Sequence, residues 1–148
     1  MKQLCNALLI ASLLGCTSTA ENNAEQLSAS WEEHYNQCVD LETESQDEFV
    51  TNDWFNGLSL DNRKSVALYV YQSNFYACHK GETEVFKSKL VKLKAEEEYH
   101  YYKGIGAFDL PDVSLISQVD KTQVEQLVKL QPKSLNLRNL GYQLGFVQ

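Results

Sequence analysis

Apolar positions recurring at steps of three and four predict a mainly α protein, a small single-domain bundle of four to five helices. The stripe Leu27, Trp31, His34, Cys38 and Leu41 has this spacing, and so do Leu68, Tyr71, Phe75 and Cys78, then Val85, Phe86, Leu90 and Leu93. Cys38 and Cys78 each lie inside a stripe, so one disulfide can staple two facing helices without distortion. At 148 residues the chain is long enough to bury one real core, and it contains no internal repeat.

The N-terminus comes first. Met1-Lys2-Gln3 supplies one positive charge, and Leu4 through Leu14 is apolar apart from Cys5, Asn6 and Ser12. A charge followed by a short apolar run is the organisation of a signal peptide, and a permanent membrane helix would need roughly 20 apolar residues. Leu13-Leu14-Gly15-Cys16 closes the run and resembles the lipobox of bacterial lipoproteins. The resemblance covers the first sixteen residues. It implies that residues 1–15 are removed as a signal peptide, that the Cys16 thiol is acylated, and that the new N-terminus is acylated as well. Thr17-Ser18 lacks the aspartate associated with inner-membrane retention, so the resemblance implies an outer-membrane anchor facing the periplasm. Burial of acyl chains at about 0.8 kcal/mol per CH₂ makes two or three chains a lasting anchor. No other segment is apolar enough to enter a membrane.

The formal net charge is −7, and cleavage before Cys16 would remove Lys2 and leave the mature chain more acidic still. Nucleic acid and anionic lipid headgroups both demand clusters of Lys or Arg, so the composition excludes a nucleic-acid binder and admits a basic protein partner. Of four cysteines, Cys5 leaves with the signal and Cys16 carries lipid. Cys38 and Cys78 remain, an even pair that reads as a disulfide in an oxidising compartment.

Residues 16–26 contain no apolar residue larger than Ala after Cys16 and predict a flexible tether, with the helical domain occupying 27–148. The first helix starts near Leu27. After the polar run Thr43–Glu48, a mixed segment holds Phe49, Val50, Trp54 and Phe55, the last two expected to plug one end of the core. Asp61 is placed to cap a second helix, which Gly81 is expected to end with His79 and Lys80 in its last turn. A third helix begins within a few residues and makes an antiparallel hairpin with the second. It leads into Glu96-Glu97-Glu98 and Tyr99-His100-Tyr101-Tyr102, four ring-bearing residues that cannot all face one way. Pro111-Asp112 is a turn signal, Asp120 with Gln123 has capping-box spacing ahead of Val124, Leu127 and Val128, and Ser134 is placed to cap a last segment. Gly141 and Gly145, four apart in a polar context, suggest close backbone packing or a frayed end rather than a membrane dimer motif.

Chemistry-bearing constellations are few. His34, Cys38, Cys78 and His79 offer four N/S ligands, but adjacent Cys78 and His79 diverge by about 100° on a helix, which favours the disulfide over a metal. No Cys-x-x-Cys, Gly-x-Ser-x-Gly, His-Glu-x-x-His or Walker loop is present, and Gly104-Ile105-Gly106 lacks the third glycine of a dinucleotide loop. No cofactor is implied. The function expected is therefore non-catalytic: an assembly-accessory or inhibitor module that binds a protein in the cell envelope. In outline the chain is similar to small helical pilotin-type lipoproteins, a likeness of architecture that would imply escort of a secretin subunit to the outer membrane. The alternative is an envelope enzyme, such as a cell-wall hydrolase, using an unmarked carboxylate or His100. The expected partner surface is Tyr99, Tyr101 and Tyr102 beside Phe108 and Leu110, with Glu96-Glu97-Glu98 steering a basic partner. On that reading Tyr101 and Tyr102 can both become Ala with little loss of stability.

Overall fold

The computed structural model describes residues 18–147, and every regular element among them is helical. In order these are α1 (Ser18–Glu44), α2 (Asp53–Asn56), α3 (Leu60–Leu93), α4 (Glu96–Gly104), a 3₁₀ turn (Val113–Ile116), α5 (Lys121–Leu130) and α6 (Leu137–Gln143). Residues 1–15, Cys16 and Thr17 lie outside the described residues, and with them the expected signal peptide and acylation site.

The largest departure from the sequence pattern is α3. Gly81 does not end a helix; it stands inside one of 34 residues. The buried face continues through it, with Val70, His79, Thr83, Phe86 and Leu90 all inward. Burying that face outweighs the roughly 1 kcal/mol by which glycine disfavours a helix interior relative to alanine. The expected helical hairpin is therefore absent, and His79 and Lys80 stand mid-helix. Ser59, not Asp61, is the N-cap, its hydroxyl accepting from the Asn62 N–H. Asp61 occupies the first turn, where the dipole still favours its charge. At the other end Lys94 takes the left-handed conformation (φ 56°), and its N–H closes onto the carbonyls of Leu90 and Val91.

The predicted tether is also corrected. From Ser18 onward it is the first part of α1, and Ala24 is buried at 1 % exposure. A small side chain at this position lets α1 approach the end of α3 closely, with Leu93 and Ala95 lining the same cleft as Ala24.

Helix α3 touches α1, α4, α5 and the 3₁₀ turn, and each half of it organises one core. Its N-terminal half buries Val66, Ala67 and Val70 against Phe49, Phe55, Ile116, Val124, Leu127, Leu135 and Leu140. Trp54 packs on the edge of this cluster, so the two aromatics of α2 do plug the core as expected. Its C-terminal half buries Phe86 and Leu90 against Trp31, Tyr102 and Ala107.

Residues 45–50 have no regular structure, yet amide side chains tie them down. Gln143 accepts from the Phe49 N–H at 2.8 Å and donates to the Phe49 carbonyl at 2.9 Å. Gln131 does the same for Val50, at 2.9 Å in both directions. These pairs satisfy the backbone as a strand partner would. Asp120 caps α5 as expected, accepting from Thr122 and Gln123. The cap of α6 is Asn136, not Ser134; the Ser134 carbonyl instead accepts from the Ser45 hydroxyl at 3.1 Å. Gly141 is buried, and a Cβ there would meet the Val147 side chain at 3.1 Å, whereas a Cβ at Gly145 would meet nothing within 4 Å, so the pair does not mark a close approach of two backbones.

Candidate functional site

Cys38 and Cys78 form the disulfide, with Cα atoms 6.0 Å apart, and so lock the C-terminal third of α1 to the middle of α3. Both thiols are consumed. His34 Nε2 lies 3.9 Å from Cys38 Sγ, 3.3 Å from the Cys78 carbonyl and 3.1 Å from Glu82 Oε2. His79 points away from this group, and its Nδ1 meets Thr83 Oγ1 at 3.0 Å. Among the described residues no set of three or more His, Cys, Asp or Glu side chains is placed to hold a metal ion.

Below the disulfide, α1, α3, the end of α5 and residues 131–135 enclose a groove of about 560 Å³. Its walls are mostly apolar: Leu41, Phe75, Ala77, Val128, Pro132 and Leu135, with the disulfide at one end. Two side-chain bonds hold the far wall in place. Asn74 Nδ2 donates to the Pro132 carbonyl at 2.9 Å, and Asn136 Nδ2 donates to the Thr43 carbonyl at 2.7 Å. Leu41 continues the core stripe of α1 past the point where there is core to cover, and it is 59 % exposed at the mouth.

Glu42 lines the same groove. Burial among apolar walls raises its carboxyl above the usual value, and the Tyr71 hydroxyl offsets this only in part. No Lys or Arg pairs with it among the described residues. The groove therefore presents a broad apolar surface with one carboxylate, Glu42, that a cation would stabilise, and one ammonium, Lys133, on its lining.

The predicted tyrosine surface divides. Tyr101 is 60 % and Leu110 67 % exposed, as a contact surface requires. Tyr99 and Phe108 are half-buried, their ring centroids 5.5 Å apart. Tyr102 is core: at 5 % exposure it packs edge-on against Trp31 and Phe86, and its hydroxyl donates to Glu32. Desolvation raises the Tyr102 phenol above its usual pKa. Successive side chains on α4 point about 100° apart, which turns Tyr102 inward and Tyr101 outward. His100 is exposed against the edge of Tyr99.

The disulfide was legible from the sequence; the groove was not, because Leu41 and Leu135 are brought together only by the fold. The one local signal was Leu41, an apolar residue next to a run of acids at the end of a stripe. No family model, curated protein or solved structure matches this chain. No described helix is long and apolar enough to cross a membrane.

Proposed function

We propose that this chain is a lipid-anchored protein of the bacterial envelope, held at the outer membrane and facing the periplasm, that binds a partner protein and performs no catalysis. The anchor rests on Leu13-Leu14-Gly15-Cys16, and the Cys38–Cys78 bond is compatible with an oxidising compartment. The observation that carries the binding reading is the apolar groove beside the disulfide, with Leu41 exposed at its mouth. A groove between helices takes the apolar face of a partner segment, and unpaired Glu42 selects one carrying a lysine or arginine. A pilotin-like or inhibitor-like role fits this outline.

The test is crosslinking in intact cells from a photoreactive residue placed at Leu41, compared with one at Lys129 on the exposed side of α5. A crosslinked protein specific to position 41, lost when Glu42 is replaced by Lys, supports the reading. Equal labelling from both positions argues against it.

A further inference from the structure

We infer that the face formed by Leu27, Gly81, Val85, Lys89 and Lys92 rests on the phosphate-bearing headgroup layer of the membrane that holds the lipid anchor. The inference depends on the acylation of Cys16 proposed above and adds to it which side of the domain meets the lipid.

The first argument is reach. One residue separates Cys16 from Ser18, where α1 begins, and an extended chain spans at most about 3.6 Å per residue. An anchor on Cys16 therefore stands within about 7 Å of the helix start. From Ser18 on, the segment expected to be a flexible tether is helix.

The second argument is direction. Helices α1 and α3 are antiparallel, since Trp31 bonds to Thr83 and Cys38 to Cys78. The C-terminal end of α3 thus lies beside the N-terminal end of α1, next to the anchor. There α3 carries Lys89 and Lys92 on its seam with α1, whereas Lys87 lies over the Phe108 ring and the C-cap Lys94 lines a cleft with Glu96, Glu97 and Glu98.

The third argument is polarity across α1. Its buried stripe includes Ala24 and Trp31. On one side of that stripe two shallow depressions share Leu27 and Lys89 and run along the α1–α3 seam from Lys92 to Gly81. On the other side a notch is lined by Glu25, Glu32, Glu97 and Glu98. The net charge of −7 argues against adsorption of the protein as a whole, but the two sides of α1 differ in sign, and the lysine side is the one phosphates attract. The one carboxylate lining these depressions, Glu82, lies 3.1 Å from His34. Val85, 53 % exposed, and the stems of Lys89 and Lys92 can enter the headgroup boundary while the ammonium groups stay with phosphate. Gly81 has open space where a Cβ would be, leaving the α3 backbone bare at the far end of the seam. A weak face suffices, because the anchor already fixes a high local concentration of lipid.

The test is lysine acetylation of the mature protein purified from membranes and placed in vesicles of phosphatidylethanolamine and phosphatidylglycerol, with each lysine's rate read by mass spectrometry. A lysine at an anionic surface gains about 1 kcal/mol, or about fivefold. Lys89 and Lys92 should react about fivefold more slowly than Lys121 and Lys129 on α5, and high salt should remove the difference. Equal rates in a protein that carries its acyl groups and floats with the vesicles overturn the inference and leave the anchor standing. An unmodified N-terminus at Cys16 overturns both. Protection that appears only after envelope proteins are added assigns the face to a protein partner and overturns the lipid assignment.

Discussion

Trp31 Nε1 donates to Thr83 Oγ1 at 2.9 Å, a buried bond that joins α1 to α3 inside an aromatic cluster. The same hydroxyl meets His79 Nδ1 at 3.0 Å, so one threonine serves an indole and an imidazole that have no water to turn to. The ring of His79 is enclosed by Tyr35, Phe75 and Tyr76, with centroids 5.1, 4.9 and 5.6 Å away.

Thr83→Val should therefore be costly despite its matched shape. It leaves the indole N–H without an acceptor, for which about 1–3 kcal/mol is the usual loss. Thr83→Ser keeps the oxygen and should retain most of the stability. Chemical denaturation of the two variants checks this, and an unchanged Thr83→Val would show that the bond contributes nothing.

His79 also gives stability a pH dependence. Burial, then the charge of nearby His34, lowers its pKa from the ordinary 6.5. The unfolded chain takes up a proton that the folded chain resists, so this contribution is complete above pH 6.5 and is lost as pH falls below it. Glu42, with a raised pKa, acts in the opposite sense: its contribution is present at low pH and lost as pH rises. The prediction is thus read as a difference in slope. Thermal midpoints followed from neutral to mildly acidic pH should fall less steeply in His79→Gln than in the parent protein. Parallel slopes would contradict it.

The disulfide closes a separation of 40 residues, for which chain entropy gives about 4 kcal/mol. Reduction, or Cys38→Ser with Cys78→Ser, should lower the denaturation midpoint by that order while the far-ultraviolet signal stays helical. Thiol titration of the native protein should find neither cysteine free.

Adjacent tyrosines should separate cleanly. Tyr101→Ala removes a ring that is mostly in solvent and should change stability by less than about 0.5 kcal/mol. Tyr102→Ala opens a cavity between Trp31 and Phe86 and should cost about 3–5 kcal/mol. The double substitution that the sequence expects to be harmless should therefore behave like Tyr102→Ala alone. A stable double mutant would mean that Tyr102 does not belong to the core.

What was legible in the sequence was whatever depends on near neighbours along the chain. The stripe from Leu27 to Leu41 and the one through Cys78 both form helices, and the two cysteines on them meet. Asp120 caps α5 because its role needs only the next three residues. Reading failed where a local signal met a distant one. The small polar side chains before Leu27 resemble a tether, but Ala24 finds a wall to pack on. Tyr101 and Tyr102 have the same chemistry, and only the way α4 packs on Trp31 and Phe86 tells them apart. The groove beside the disulfide needs Leu41, Phe75 and Leu135 from three separate parts of the chain, and no spacing rule joins them.

Gly81 shows this conflict in a form that can be measured. Glycine is a helix-stop signal because it gains the most entropy on unfolding and supplies no side chain to bury. In α3 nothing exploits its freedom: its φ is not positive, and a Cβ would meet no atom within 4 Å. Alanine should then fit without strain and lower the entropy of the unfolded chain, for a gain of about 0.4–1 kcal/mol. In a domain of this size that is a rise of roughly 1–4 °C in thermal midpoint. A fall in midpoint on Gly81→Ala would mean that α3 bends or opens at this position, and that its two halves are held in line by the disulfide and by Thr83.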